Sequence, residues 1–200
     1  MNEEPSDISK IIFSFIWSFK KGDNILYNFS ILDEVYSARQ KSIRKHLYAK
    51  PIILIIAAIV ECVLEDFTQR IQQHSDEKIP ILSNKVIEDF KYIDRGSYLE
   101  VKELKKFNHF IDHAKKHKIF GVLPETYNAM DLVRKLRNRL HIQNSEGDTL
   151  DRNESMIFTE LNLRNSQDLL KLVLMKMTQT YPRPGAMKVD FGKVKFPWSS

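Results

Sequence analysis

"PIILIIAAIVECVLEDFTQRI", Pro51–Ile71, is the stretch on which the fold turns. Its first ten residues, Pro51 to Val60, carry no polar side chain, and then Glu61, Glu65 and Asp66 interrupt the run. A membrane-spanning helix needs roughly 20 consecutive apolar residues. The unbroken run is about half that, so the segment reads as the buried core helix of a bundle, from Pro51 to about His74, and no membrane is expected. Pro51 suits the first helical turn, where its missing N–H has no partner to lose. The one cysteine of the chain, Cys62, lies in this segment. It excludes an internal disulfide and any cysteine-rich zinc site, and it reads as a buried, inert thiol.

The totals agree with such a bundle. The chain has 200 residues, 42% hydrophobic and 28% charged, with only six glycines and seven prolines. That suits one helical domain with its own core rather than a turn-rich β architecture. The net charge of +5 and a pI near 9.1 tilt the molecule toward anionic partners. The opening "MNEEPSDISK" has two acids before any base and reads as no signal peptide, so a cytoplasmic location is expected.

Working outward, helices are expected on both sides. "SDISKIIFSFIWSFKKGDN" reads as a first helix, capped by Ser6 or Asp7 and ended by Gly22, with helical spacing resuming from Asn24 to Tyr48. Beyond Pro80 a short helix is expected at "NKVIEDFKYID". Ser97 and Glu100 form a capping box before "VKELKKFNHFIDHAKKHK", which Gly121 closes. Pro124 opens the next helix, expected to run to Asn144. "NSEGDTLDRNES" reads as a polar loop, and Asn165 or Ser166 as the cap of a last helix ending near Tyr181. No hairpin signal separates alternating strands. The expected fold is all-α, a single-domain bundle of five to seven helices over residues 1–181. Residues 182–200 form a Pro/Gly-containing basic-aromatic tail. Phe191, Phe196 and Trp198 either strap that tail onto the bundle or, with Lys188, Lys193 and Lys195, stack against nucleic acid; the strap is the simpler use.

The helix opened by Pro124 holds the most chemistry. "LVRKLRNRLHIQN", Leu132–Asn144, has three arginines and a histidine, and no acid between Asp131 and Glu146. On a helical wheel Leu132, Val133, Leu136, Leu140 and Ala129 gather on one buried arc. Arg137, His141, Arg134 and Asn138 share an adjoining polar arc of about 100°. Lys135 and Arg139 fall on the solvent side. Arg137 and His141, at i and i+4, can meet. A guanidinium offers a fixed fork of donors for phosphate oxygens, and an imidazole moves protons near neutral pH.

This stretch resembles the HEPN superfamily, all-α domains found in bacterial ribonuclease toxins and RNA-targeting defence proteins. Their signature is an arginine, commonly followed by a polar residue, then four to six residues before a histidine. "RKLRNRLHIQN" carries the Arg-Asn pair as Arg137 and Asn138 and the histidine as His141. From Arg137 three residues intervene before His141, one fewer than is usual. From Arg134 six intervene, with Lys135 in place of asparagine, so either arginine can be the motif residue. Pro51–Ile71, with its embedded Glu61, looks like the family's early core helix.

The resemblance implies a metal-independent endoribonuclease without a cofactor, acting on RNA as a homodimer, with an antitoxin protein as a possible partner. Arg137, Arg134 and His141 are the implied catalytic residues, and Asn138 and Glu61 the orienting ones. It equally admits a catalytically silent interaction or regulatory module, since such family members exist.

A rival constellation is "HFIDHAKKH", with His109, His113 and His117 at successive i, i+4 steps. Two histidines so spaced can bind zinc. Leu104, Phe107, Ile111 and Ala114 mark the buried face of that helix, however, so the histidines read as a solvated row and no metal site is expected. Asp148, Asp151 and Glu154 lack the spacing of a calcium loop.

Overall fold

A computed structural model of the chain describes residues 7–73, 106–139 and 153–199. Among the described residues the fold is all-α, with seven helices and no strand. These are α1 (Asp7–Phe15), α2 (Phe19–Lys41), α3 (Ala49–Gln73), α4 (Phe107–Lys116), α5 (Pro124–Asn138), the short α6 (Glu154–Ile157) and α7 (Glu160–Thr180). Single 3-10 turns lie at Lys45–Tyr48 and Phe191–Lys193. The short helix expected at "NKVIEDFKYID", the Ser97–Glu100 capping box, Leu104, Leu140 and His141 lie outside the described residues.

α3 is the central post. It is long and apolar enough to span a membrane, as core helices of soluble proteins can be, and half of its most apolar window is buried inside the protein. Ile52, Ile53, Ile56, Ala57, Ile59, Val60, Val63, Leu64 and Phe67 are all buried. They serve α2, α4, α5 and α7, each of which packs against α3. A helix surrounded by four others is apolar on nearly every side, which is why the run looked like a membrane span in miniature. Cys62 is half-buried, and burial pushes its thiol up to about 11, which leaves it protonated and unreactive at neutral pH.

The helix boundaries differ from the expected ones at both ends of the bundle. Gly22 does not end a helix; it sits in the first turns of α2. The break comes earlier, at Ile16–Ser18, where Ser18 caps α2 by accepting from the Lys21 N–H. Buried Asp66 of α3 reaches this break, and its carboxylate accepts from the N–H groups of Trp17 and Ser18 at 2.9 and 3.0 Å. The orphan donors of a helix start are thus satisfied by an acid 48 and 49 residues further along the chain. Gly22 is where α1 folds back on α2: a Cβ there would lie 2.7 Å from the Phe13 ring. At the other end α7 is capped by Thr159, accepting from the Asn162 N–H, and not by Asn165 or Ser166. Ser166 instead donates to the Asn162 carbonyl within the helix. Part of the expected polar loop is α6, capped by Asn153.

The tail belongs to the same hydrophobic core as the helices. Phe191 and Phe196 are buried in it, Phe196 stacks on Trp198 with centroids 5.0 Å apart, and Trp198 meets Tyr36 of α2. Buried Phe191 and Phe196 have no free face to offer a nucleic-acid base. The tail's start is pinned by Arg70 of α3. Its guanidinium donates to the carbonyls of Tyr181 and Pro182 at 2.8 and 3.1 Å and stacks over the Trp17 ring.

Candidate functional site: an arginine groove between α3, α4 and α5

The start of α5 is held firmly. Pro124 stands in its first turn, as the sequence suggested. The preceding turn takes a left-handed step at Gly121, φ +100°, a region that favours glycine. The Tyr127 hydroxyl closes this turn, accepting from the Phe120 N–H at 3.2 Å and donating to the Gly121 carbonyl at 2.8 Å. Tyr181, just past the end of α7, donates to the Ile119 carbonyl.

From there α5 does not bury one fixed arc. Tyr127, Met130, Val133, Leu136 and Arg139 are buried in steps of three. Such a row drifts by roughly 60° per step around an α-helix. α5 packs against α3, α4 and α7 together, so its buried face winds from one neighbour to the next. Arg139, expected on the solvent side, is therefore only 7% exposed, and Leu132 is only partly buried. Arg139 follows the last helical residue, with its N–H turned to the Leu136 carbonyl at 3.2 Å.

The two motif arginines and their companions meet in one open groove of about 290 Å³, lined by Glu61, Lys106, Phe107, Asn108, Arg134, Arg137 and Asn138. Arg137 reaches from α5 to Glu61 of α3, with Nη1 and Nη2 at 3.1 and 2.9 Å from the two carboxylate oxygens. This is the fork-to-fork geometry that fixes a guanidinium plane. Burial pushes the Glu61 carboxyl up, Arg137 pulls it back down, and Glu65 adds to the rise, leaving it above the ordinary range. Arg134 is held on its own helix: Nε and Nη2 lie 2.8 and 2.6 Å from Asp131 Oδ1, while Lys135 takes Oδ2 at 3.1 Å. Burial works to raise the Asp131 carboxyl, but the bonds from Arg134 and Lys135 outweigh it and hold it below the usual carboxylate range. Asn138 is exposed at the groove's edge.

Of the residues singled out from the sequence, Glu61, Arg134, Arg137 and Asn138 thus share one site. His141 lies three residues beyond Asn138 and outside the described residues. Lys106 and Asn108 line the groove and had escaped notice. They precede and open α4 in an ordinary lysine-rich stretch, and only the packing of α4 beside α5 brings them in.

The histidine row is not a solvated face. His109, His113 and His117 are each half-buried, and the His113 and His117 rings stack with centroids 6.2 Å apart. Among the described residues no three His, Cys, Asp or Glu side chains converge as a metal site. Burial, then the neighbouring His117 and Lys116, holds His113 below its ordinary pKa, with Asp112 working the other way. A histidine whose pKa is depressed on folding binds its proton less readily when folded. Its effect on stability is therefore absent above the unfolded pKa of about 6.5, and acidification below that value destabilises the fold. Thermal melts of the wild type and His113→Gln from pH 7.5 to 5.5 test this. The wild type should lose more stability over that range than the variant, and parallel curves would refute the assignment.

In comparisons with protein-family models, curated proteins and solved structures, nothing matches the chain. What fold and site define is an all-α bundle carrying an arginine-rich groove braced by a core-helix carboxylate.

Proposed function

We propose that the protein is a metal-independent endoribonuclease of the HEPN type, acting in the cytoplasm on RNA as a toxin or defence effector. The observation that carries this reading is the bidentate Glu61–Arg137 pair. It presents an oriented guanidinium of the signature helix in an open groove beside Arg134 and Asn138. In the proposed reaction the ribose 2′-OH attacks the adjacent phosphorus and the bond to the 5′-oxygen breaks. The products carry a 2′,3′-cyclic phosphate and a 5′-hydroxyl. His141 moves the protons as general acid or base. Arg137, with Arg134, stabilises the charge that grows on the phosphorane oxygens. Glu61 keeps the Arg137 plane fixed, and Asn138 orients the phosphate or the imidazole by hydrogen bonding.

The proposed assembly is a homodimer in which two copies of α5 face each other near the two-fold axis, each completing the other's site. An antitoxin protein is the proposed neutralising partner. One observation favours the rival reading of a catalytically inactive interaction module: Arg134 and Arg137 are each engaged by a carboxylate, so a phosphate has to share or displace it.

RNA digestion in excess chelator, with analysis of the product ends, separates these readings. The enzyme should cleave undiminished, leave cyclic or 3′-phosphate ends, and scatter light as a dimer at micromolar concentration. Intact RNA would support the module. Cleavage that requires added zinc or magnesium would overturn the mechanism.

A further inference from the structure

The groove's three cations are not equivalent. Arg134 is bound by Asp131 and Arg137 by Glu61. Lys106 has no carboxylate partner among the described residues; its side chain is exposed at the entrance to α4. Asn108, half-buried two residues on, also lines the groove, and no hydrogen bond engages its amide among the described residues. Among the described residues, then, an ammonium and an amide without partners line the groove from the α4 side, together with the two arginines and Asn138 of α5.

The groove, about 290 Å³ and open to solvent, has the size of a small-ligand site. A duplex keeps its bases stacked inside, whereas single-stranded RNA can lay one nucleotide at a time into such a groove. From this arrangement we propose that Lys106 and Asn108 form a second nucleotide subsite. Lys106 holds a phosphate neighbouring the scissile one, and Asn108 hydrogen-bonds the ribose or base between them, so the substrate is single-stranded RNA. The inference rests on the ribonuclease reading for the word "scissile", while the binding it describes does not require cleavage.

Lys106 and Asn108 act on substrate through binding, and their test reads binding separately from chemistry. Fluorescence anisotropy with a single-stranded 2′-deoxy oligonucleotide, which lacks the attacking hydroxyl, is measured across a salt series for wild type, Lys106→Ala and Asn108→Asp. Removing one phosphate contact should weaken binding several-fold at low salt and flatten the salt dependence by about 0.7 in log–log slope. Asn108→Asp, which adds a negative charge to the groove, should weaken it at least as much. A duplex of the same sequence should bind more weakly than the single strand. With cleavable RNA, Lys106→Ala should raise KM and leave kcat unchanged. Equal affinity and equal salt slope in Lys106→Ala and the wild type would overturn the subsite, even if the enzyme cleaves RNA. Lys106-dependent binding without cleavage by the wild type would leave the subsite standing and remove the ribonuclease reading instead.

Discussion

His141→Ala and Arg137→Ala should each lower RNA cleavage by about 10²- to 10⁴-fold, the usual cost of losing an acid–base group or a charge-stabilising donor. The fold should survive both. Arg137 is 42% exposed on its side chain, and the loss of such a partly solvated pair is worth less than about 1 kcal/mol. Met130, Val133 and Leu136 make up the buried core side of the end of α5, and Arg137 is not one of the buried residues. Circular dichroism and cleavage measured on the same samples therefore separate chemistry from folding. The control has to be chosen from the structure. Arg139 is unsuitable because it is buried, whereas Lys135 lies on the same helix, partly exposed, and pairs with Asp131. Lys135→Ala should leave cleavage within a few-fold of wild type. If it is as damaging as His141→Ala, the helix is a general basic patch; if none of the three matters, the arginines serve an interaction module.

The largest effect on stability is expected at Arg70. This residue is 3% exposed, and its guanidinium supplies two charge-assisted hydrogen bonds to the carbonyls where α7 ends and the tail begins. Truncation leaves those carbonyls short of donors and removes the nearer of two guanidinium groups that lie over the Trp17 ring. Hydrogen bonds to a charged group contribute about 1.5–3 kcal/mol each. Arg70→Ala should therefore destabilise the protein by roughly 3 kcal/mol, which for a chain of this size lowers Tm by about 6–12 °C. Arg70→Lys should recover only part of that, because an ammonium cannot fork to two carbonyls while lying flat on an indole. A Tm within 2 °C of wild type for Arg70→Ala, by the same scaling, would show that the tail's aromatics hold it without the arginine.

Neither Arg70 nor Asp66 looked structural in the sequence. Both are charges in an otherwise apolar helix, and a charge at that position reads as the end of a buried run. Each is buried because it serves a backbone break elsewhere: Asp66 at the start of α2, Arg70 at the end of α7. Helix starts show the same division. Pro124 announces α5 by its own chemistry, since its ring and missing N–H suit a first turn. The caps Ser18 and Thr159 stand inside polar and aromatic stretches that offer several equal candidates, and tertiary packing chose among them.

By itself, the sequence determined the helical class, the core role of α3 and the shared helix face of Arg134, Arg137 and Asn138, whereas Glu61 entered only through the family resemblance. Hydrophobic periodicity and side-chain spacing along one helix are local properties, carried by the residues themselves. Only the tertiary structure decided which face each helix buries and which helices share a wall. α5 meets three neighbours, so its buried row winds around it, takes in Arg139 and turns Arg137 toward Glu61. Lys106 and Asn108 entered the groove in the same way, because α4 packs beside both α3 and α5. Contacts between segments far apart in the chain depend on how several surfaces fill space together, and no one segment's pattern encodes that.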